Sequence, residues 1–382
     1  MPPGGSGAFT LTGARVFDGT AMRPPGSAVA VVDGQIAAVL PPGEAQRGTA
    51  IALDGGTLAP GFIDLQVNGG GGWQVGGDAT AERFAAMCAV HARLGATGIL
   101  PTLITDTPEA TSAVIAAGVA VARAGVPGFL GLHLEGPHLD PRRQGAHDPA
   151  LIRPMTDADE TALVAARAQL PALMVTLAPA AAAPDRIARL TAAGVTVSLG
   201  HADCTMAEAQ EAVAAGAACA THLFNAMSPL GHREPGLVGS VLSSDLPAGL
   251  IADGLHVAPA VLRIALAARP RGLFLVSDAM AFTGSAMSEM HLGGRLIRRV
   301  GGRLVLADGT LAGADLTLPQ AVAMLAGLGV PLAQALAMAT SVPAGVIGAE
   351  AGRIAPGARA DLVHLAPDLS LSAVWRAGAT VA

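Results

Sequence analysis

The middle of the chain alternates between short apolar runs and alanine-rich stretches with helical periodicity, such as Ala79–Leu94, Pro184–Ala193 and Thr205–Ala215. Eight apolar runs have the length of strands. They are Phe62–Val67, Gly98–Leu103, Phe129–Glu135, Met174–Leu177, Val195–Gly200, Ala218–Phe224, Gly249–Ala252 and Phe274–Ser277. Continuous apolar runs are typical of parallel strands that helices cover on both faces. The pattern therefore predicts an α/β fold, a (β/α)8 TIM-like barrel. An open doubly wound sheet is the alternative, because a count of strands does not prove closure.

Both ends of the chain have a different texture, with short strands separated by turns. Near the N-terminus, Ala28–Val32 and Gln35–Val39 flank an Asp-Gly pair, which is a strong hairpin signal. Near the C-terminus, Asp361–Leu365 and Ala373–Arg376 repeat this texture. Because chain ends often lie close together, we expect both to build one small β-sandwich domain. The predicted limits are 1–58 and 346–382 for the small β domain and 59–345 for the barrel domain.

The composition removes several classes of chemistry. All 23 basic residues among the 382 are arginine, and lysine and tyrosine are absent. A P-loop ATPase or a Schiff-base enzyme needs a lysine, so both are excluded. A metal pair bridged by a carboxylated lysine is excluded for the same reason. The net charge of −6 argues against an extended nucleic-acid footprint.

The location of the protein is predicted from features that the chain lacks. No continuous apolar stretch reaches the roughly 20 residues that a membrane-spanning helix needs. Met1–Gly7 has no basic segment followed by an apolar core, so no secretory signal is expected. The three cysteines, Cys88, Cys204 and Cys219, form no CxxC pair, and their odd number argues against a disulfide framework. We expect a cytoplasmic protein that binds neither membranes nor nucleic acids.

Acidic and imidazole side chains collect at the ends of the predicted strands, where barrel enzymes place their functional groups. The third run ends at Glu135, His201 follows the fifth, the sixth contains His222, and Asp278 follows the eighth. One carboxylate and two imidazoles match a catalytic zinc site with three protein ligands and an open position. Each residue alone could be a turn cap or a hydrogen-bonded structural residue. Their conjunction favours a metal site, because buried carboxylates and imidazoles cost free energy unless they are paired or metal-bound.

Longer strings resemble a known family. They are Pro60-Gly-Phe-Ile-Asp64, His133-Leu-Glu-Gly-Pro, His222-Leu-Phe-Asn-Ala-Met, Gly231-His-Arg-Glu-Pro-Gly and Ile251-Ala-Asp-Gly-Leu-His256. From about Leu58 to Pro343 the chain resembles the N-acetylglucosamine-6-phosphate deacetylases, which belong to the amidohydrolase superfamily. The Pro-Gly-Phe-Ile-Asp string is shared across that superfamily, whereas the others are far more specific. The resemblance implies hydrolysis of N-acetyl-D-glucosamine 6-phosphate to D-glucosamine 6-phosphate and acetate.

The resemblance also implies a metal centre in the barrel. Its ligands would be Glu135, His201 and His222, holding one divalent ion per subunit, zinc first, with iron, cobalt or manganese as alternatives. Many superfamily members have His-x-His after the first strand and bind a second metal there. This chain has Gln66 and Asn68 instead. Since amides are weak zinc ligands, these two residues would be remnants of a second metal site.

The resemblance further implies how a substrate is held and turned over. Asp278 would be the general base and then the general acid. Arg233 would supply the cationic contact to phosphate, because its planar fork suits two phosphate oxygens. Which of His147 and His256 contacts the acetamide stays open. The substrate-binding residues would be Ala146, His147, Asn225, Ala226, Arg233, His256, Leu311, Ala312 and Gly313. The family resemblance also implies a homodimer.

Three other functions would be compatible with this type of fold. A deacetylase for another N-acetyl amino-sugar phosphate, such as the galactosamine isomer, stays open. A cyclic-amide hydrolase is disfavoured by the phosphate-binding residues Asn225, Ala226 and Arg233. A non-catalytic scaffold with the same fold is disfavoured because the three metal ligands and Asp278 are all retained.

Overall fold

A computed structural model describes residues 7–45 and 47–381 of the chain. The prediction that Met1–Gly7 is not a secretory signal concerns residues that, except for Gly7, lie outside the described ranges. The outermost limits of the small β domain, residues 1 and 382, also lie outside them. All eight predicted barrel strands are present, and each pairs in parallel with the next along the chain. They are Phe62–Val67, Ala96–Ile104, Leu132–Glu135, Leu173–Leu177, Thr196–Leu199, Cys219–Ala220, Ala248–Leu250 and Leu273–Leu275.

The first and eighth strands meet at their carboxyl ends. Val67 forms a parallel bridge with Ala279, and the Asp278 backbone N–H donates to the Gln66 carbonyl at 3.1 Å. These contacts bring the two edges of the eight-stranded sheet together as a nearly closed barrel, so the barrel prediction is confirmed over the open sheet. The carboxyl ends of all eight strands therefore surround one opening.

Helices surround the barrel and begin where the sequence predicts. Thr205 caps one of them, since its hydroxyl accepts the Glu208 N–H and the Glu208 carboxylate accepts the Thr205 N–H. Pro184 is the first residue of another. No helix within the described ranges is long and apolar enough to cross a membrane. The α-helices are Ala81–Arg93, Pro108–Arg123, Asp157–Arg167, Pro184–Ala192, Met206–Ala214, Gly236–Leu242, Pro259–Ala268, Leu318–Gly327, Leu332–Ala339 and Ser341–Val346, and the 3-10 helices are Pro141–Arg143 and Pro179–Ala181.

Two further sheets form the small β domain. The first is built from the N-terminal part alone, in the spatial order Gln35–Leu40, Ala28–Val32, Phe9–Thr12 and Thr49–Ala52. The second joins both chain ends, in the order Arg15–Val16, Thr57–Pro60, Leu362–Leu365, Leu371–Arg376 and Ala379–Thr380. Leu11, Val31 and Trp375 belong to one buried apolar cluster between the sheets. This arrangement fits the predicted β-sandwich, while the limits 1–58, 59–345 and 346–382 stay predictions.

One part of the fold escaped the sequence analysis. A three-stranded antiparallel sheet, here called the flap, follows the eighth barrel strand and comprises Glu289–Leu292, Arg295–Val300 and Arg303–Val305. Its side chains pack with Met280 and Phe282 into a small core of their own. Two short strands, Gly69–Gly70 and Trp73–Gln74, also pair after the first barrel strand. Both additions lie at the carboxyl ends of the barrel strands, where a site would be.

Candidate active site

Three of the predicted ligand atoms converge at the carboxyl end of the barrel. The Glu135 Oε1 atom lies 3.2 Å from Nε2 of His201 and 3.0 Å from Nε2 of His222. The two imidazole Nε2 atoms are 3.1 Å apart. None of the three residues is more than 5% exposed. Ligand atoms about 2.0–2.1 Å from a tetrahedral zinc ion lie roughly 3.3 Å from one another, so this spacing is close to that of a metal centre.

Proton positions show why this cluster fits a cation. The His201 Nδ1 atom lies 2.8 Å from the Arg143 carbonyl oxygen, which can only accept. Nδ1 of His201 therefore carries a proton, and in the neutral ring Nε2 has the lone pair that a cation would bind. The buried Nδ1 of His222 has no hydrogen-bond partner within the described residues. A divalent ion would satisfy the converging lone pairs, so the residues fit one.

A second grouping of possible ligands uses His147 in place of His222. Ligand atoms of Glu135, His147 and His201 all lie within 4.8 Å of one another. The backbone N–H of Thr105 donates to Nδ1 of His147 at 3.2 Å. Burial lowers the pKa of His147 well below its usual value, so the ring is neutral and its single proton is on Nε2. An Nε2 that carries a proton is a donor and not a ligand, and the geometry therefore favours His222.

Three residues of the site have a positive backbone φ angle, a conformation that favours glycine. The φ angles are 45° at His201, 27° at His222 and 51° at Asp278. Non-glycine residues in this region cost of order 1–3 kcal/mol each, and such residues are concentrated at functional sites. Three of the side chains that point into the barrel opening therefore lie at strained backbone positions.

Gln66 and Asn68 act as hydrogen-bond donors to carboxylates. The Gln66 Nε2 atom lies 3.1 Å and 3.2 Å from the two oxygens of Glu135, and 3.2 Å from Oδ1 of Asp278. Asn68 donates from Nδ2 to the same Asp278 oxygen at 2.7 Å. The two amides therefore link the carboxylates of Glu135 and Asp278. That they are remnants of a second metal site stays a prediction.

The carboxyls of Asp278 and Glu135 have pKa values displaced in opposite directions. Burial raises the pKa of Asp278 to about 6, and repulsion from Glu135 adds to this. Burial also acts to raise the pKa of Glu135, but hydrogen bonds from His201 and His222 hold that pKa well below its usual value. Glu135 is thereby kept as an anion, while Asp278 has a pKa close to neutrality, which suits a group that takes up and releases a proton.

His256 is oriented by a carboxylate that the sequence analysis missed. Its Nδ1 lies 2.6 Å from Oδ2 of Asp253, and Oδ1 of Asp253 accepts the backbone N–H groups of Leu255 and His256, each at 2.8 Å. The Asp-Gly-Leu-His spacing places the two side chains within one turn, which is the signal that could have found this pair. The contact holds the His256 ring in the wall of the pocket.

These groups line a pocket of about 280 Å³. The predicted substrate-binding residues that line it are Ala146, His147, Asn225, Ala226, His256, Leu311, Ala312 and Gly313. Residues that sequence reasoning missed are Gln74, Ile104, Gly145, Ile251, Met280, Leu292 and Thr310. The flap contributes Leu292, and Arg295 of the flap donates to the carbonyl of Ala146. Arg233 is exposed and does not line this pocket.

Behind the pocket, Asp64 is a buried carboxylate that accepts hydrogen bonds from Ser277 and from the backbone of Gln66. It is 1% exposed. The Ser277 backbone N–H lies 3.2 Å from both of its oxygens, and the Gln66 N–H donates to Oδ1 at 3.2 Å. Burial raises the pKa of Asp64 to about 7. Asp64 thus connects the first strand to the residue preceding Asp278.

The raised pKa of Asp64 predicts how stability depends on pH. The folded metal-free protein binds more protons than the unfolded chain between the unfolded pKa of 3.8 and the folded value of about 7, so Asp64 lowers the free energy of unfolding as pH rises through that range. Asp64→Asn removes this titration. From pH 4 to pH 7 we expect the unfolding free energy of the variant, relative to the parent, to rise by up to about 4 kcal/mol. Urea titrations of both chelator-treated proteins measure it, and a difference independent of pH contradicts it.

Comparisons with known proteins agree with this architecture. A family model described as Amidohydrolase family matches residues 57–381. The N-acetylgalactosamine-6-phosphate deacetylase of Shewanella sp. (strain ANA-3) is 41% identical over 333 residues, covering 85% of this chain and 83% of that protein. The N-acetylglucosamine-6-phosphate deacetylase of Homo sapiens is 38% identical over 346 residues, covering 86% of this chain and 84% of that protein.

A solved structure is similar over nearly the whole chain. It is a variant of the N-acetyl-D-glucosamine-6-phosphate deacetylase from Mycobacterium smegmatis in complex with N-acetyl-D-glucosamine-6-phosphate. The TM-score is 0.91 at 35% identity, with 98% of this chain and 99% of that chain covered. Because the family model matches most of the chain and the relatives align over more than four fifths of their length, the chain belongs to the amidohydrolase family.

Proposed function

We propose that this chain hydrolyses the acetamide of N-acetyl-D-glucosamine 6-phosphate, releasing D-glucosamine 6-phosphate and acetate. The observation that carries the proposal is the convergence of Glu135, His201 and His222 within 3.2 Å of one another, with Asp278 in the wall of the same pocket. The names of the relatives support the substrate class. We assign the hydrolase site to the barrel, 59–345, with 1–58 and 346–382 as a supporting domain.

Metal binding, proton transfer and positioning are assigned to different residues. A divalent ion held by Glu135, His201 and His222 would supply an acidified water molecule and a polarised acetamide carbonyl. Asp278 accepts the proton of the attacking water and delivers it to the departing amine. The amides of Gln66 and Asn68 hold the Asp278 carboxylate in place through the contacts described above.

The two remaining histidines would meet the substrate with different atoms. His147 presents a protonated Nε2, because its Nδ1 accepts from Thr105, and this N–H would stabilise negative charge developing on the carbonyl oxygen. His256 has its Nδ1 bound to Asp253, so its Nε2 is the atom left to contact the sugar or the acetamide. Both assignments are part of the proposal.

Zinc is the ion we propose, because two imidazole nitrogens and one carboxylate oxygen form a typical catalytic zinc ligand set. Iron, cobalt and manganese use the same donors and are the alternatives. We also propose a cytoplasmic location, which the three free and buried thiols of Cys88, Cys204 and Cys219 support. Metal analysis of gently purified protein should find about one ion per chain, and a protein purified with none would support the scaffold alternative.

The galactosamine isomer is a second candidate substrate, since one of the similar proteins, at 41% identity, is an N-acetylgalactosamine-6-phosphate deacetylase. The test compares kcat/KM for N-acetylglucosamine, its 6-phosphate and N-acetylgalactosamine 6-phosphate. We expect the glucosamine phosphate to be preferred over its isomer, and over the unphosphorylated sugar by about ten- to a hundredfold, since a charge-assisted phosphate contact contributes roughly 1.5–3 kcal/mol. Equal use of the phosphorylated and unphosphorylated sugars would remove the phosphate assignment.

Phosphate recognition is proposed to use Asn225, Ala226 and Arg233. The first two line the pocket, whereas Arg233 lies on an exposed loop outside it. We also propose a homodimer with the loops near the site at its interface, so that Arg233 acts where two copies meet.

Arg233→Ala is therefore expected to raise KM for the phosphorylated sugar by about ten- to a hundredfold, by loss of a charge-assisted contact. The unphosphorylated sugar should be affected less than twofold. Arg303→Ala, which removes an exposed arginine of the flap, is the control. Equal effects of Arg233→Ala on both sugars would show that this residue does not recognise phosphate.

A further inference from the structure

A buried chain of hydrogen bonds crosses the barrel directly beneath the cluster of Glu135, His201 and His222. His133 lies two residues before Glu135 on the third strand, so both side chains point to the same face. Its Nδ1 lies 3.0 Å from the carbonyl oxygen of Leu65, and its Nε2 lies 2.7 Å from the Thr176 hydroxyl. Further hydrogen bonds join the Thr176 hydroxyl to those of Thr221 and Ser198. We call the side chains of His133, Thr176, Thr221 and Ser198 the inner chain.

The inner chain continues from hydroxyl to hydroxyl. Thr176 Oγ1 lies 2.6 Å from Thr221 Oγ1, which lies 2.6 Å from Ser198 Oγ. All four side chains are at most 2% exposed. Short contacts of this kind between buried polar groups polarise one another and stabilise a single arrangement. The chain therefore joins four neighbouring strands, the third to the sixth, through their inward side chains.

The donor and acceptor of each hydrogen bond in the inner chain follow from the contact between His133 and the Leu65 carbonyl. The Leu65 carbonyl can only accept, so His133 carries its proton on Nδ1. With that proton on Nδ1, Nε2 of the neutral ring accepts from the Thr176 hydroxyl 2.7 Å away. With its proton committed, Thr176 accepts from Thr221, and Thr221 in turn accepts from Ser198. The inner chain thus has one arrangement in which every member is satisfied.

The inner chain lies next to the backbone of two proposed ligands, Glu135 and His222, and of Gln66, which donates to Glu135. Leu65 directly precedes Gln66, and Thr176 is the ladder partner of Glu135. Thr221 directly precedes His222. The sixth barrel strand contains only two residues, Cys219–Ala220, and its ladder to the seventh strand has a single pair. Because this ladder is short, the hydrogen bonds of the inner chain add to the backbone bonds that hold Thr221 and Leu223 to the neighbouring strands.

We infer that His133 is a positioning residue for the metal centre, acting through the inner chain to hold Glu135 and His222 at the spacing that binds a divalent ion. The inference rests on the proposed function, since it concerns the same metal site. Hydrogen-bond partners that support metal ligands typically change metal affinity about 10–100-fold when they are removed. His133 does not line the substrate pocket, and its hydrogen bonds go to Leu65 and Thr176, so its effect should be on metal affinity.

The test measures Zn²⁺ affinity of the chelator-treated protein by competition with a chromophoric chelator. His133→Leu breaks both bonds of the ring, and His133→Gln keeps a donor and an acceptor. Thr176→Val removes the hydroxyl that His133 accepts from, and Thr176→Ser keeps it. We expect the Leu and Val variants to bind Zn²⁺ at least about tenfold more weakly than the parent. The Gln and Ser variants should recover most of that loss.

The matched control is His364→Leu in the small β domain. His364 is also buried, at 4% exposure, and its Nε2 lies 2.8 Å from the Gly55 carbonyl oxygen. This variant loses a comparable buried contact far from the metal centre, and its Zn²⁺ affinity should stay within twofold of the parent. Should His133→Leu fail to fold, the pair Thr176→Val and Thr176→Ser still decides the question.

Three results would overturn the inference. One is Zn²⁺ affinity within twofold of the parent in Thr176→Val and in folded His133→Leu. Another is equal loss in Thr176→Ser and Thr176→Val, because packing rather than the hydroxyl would then be responsible. The third is an equal loss in His364→Leu. A parent protein that binds no divalent ion would instead overturn the proposed function, so the two failures are distinguishable.

Discussion

Asp278→Asn should lower kcat by about a thousandfold while the metal stays bound. A positioned general acid and base typically contributes 10²–10⁴-fold to the rate, and the amide that replaces the carboxyl cannot take up the proton of the attacking water. The Asp278 carboxyl is not among the three converging ligand atoms, so the metal content should stay at the parent level. Steady-state kinetics together with metal analysis of the purified variant measure both quantities.

The control for this substitution is Asp368→Asn, at an exposed turn of the small β domain. It makes the same chemical change far from the pocket, and kcat should stay within twofold of the parent. An Asp278→Asn variant that retains a tenth or more of the parent kcat would exclude Asp278 as the proton shuttle. Loss of the metal from that variant would show that the Asp278 carboxyl takes part in binding it.

His222→Ala and His147→Ala should separate the two candidate ligand sets. Removing His222 deletes a proposed ligand, so we expect the metal affinity to fall by about a hundredfold or more, since even an outer hydrogen-bond partner is worth about 10–100-fold. His147 is a donor through Nε2, because its Nδ1 accepts from the Thr105 N–H. His147→Ala should therefore keep the metal and lower kcat by about 10²-fold, as loss of an oxyanion donor does.

Equilibrium dialysis against Zn²⁺ and kinetics at saturating Zn²⁺ measure the two effects separately. The reverse result, with the metal lost from His147→Ala and retained by His222→Ala, would establish the set of Glu135, His147 and His201 instead. His91→Ala is the control, because His91 is buried and bonds only the Gly69 carbonyl among the described residues. Its metal affinity should stay close to that of the parent.

The barrel could be predicted from sequence because the environment of its strands is local and uniform. Each parallel strand is covered by helices, so runs such as Leu173–Leu177 and Leu273–Leu275 are buried at every position and are almost entirely apolar. Helix starts were predictable for the same reason, since the capping contacts of Thr205 involve residues within one turn. Closure of the barrel could not be predicted in this way, because Val67 and Ala279 are far apart in the sequence and pair only once all eight strands are in place.

The flap was missed although a signal was present. Glu289–Leu292 and Arg295–Val300 are mostly half-buried or exposed, so their apolar residues form no clear run. They flank Gly293-Gly294, both at positive φ, and a Gly-Gly pair between two strand-like segments is a hairpin signal. The flap covers the pocket with Leu292 and contacts the Ala146 carbonyl through Arg295. Its importance follows from that placement and not from its composition.

The roles of several buried polar residues are likewise decided by distant partners. Asp64 lies in a string shared across the superfamily, but its contact with the Ser277 N–H joins residues 213 positions apart. The bond between Gln66 and Asp278 spans 212 positions. His133 has partners 43 and 68 positions away. Arg233 differs from these residues, because it is exposed and lies outside the pocket of its own chain although the sequence predicts that it binds phosphate.

By itself the sequence determined the succession of strands and helices, the β domain from both ends, and the strand-end positions of Glu135, His201, His222 and Asp278. These follow from hydrophobic periodicity and from residue types at strand ends, which are local properties. The tertiary structure alone decided which groups face each imidazole nitrogen, and these contacts favour His222 over His147 as the third ligand. The physical reason is that a buried donor or acceptor takes its state from whatever group the fold places within about 3 Å, and in a barrel that group belongs to another strand.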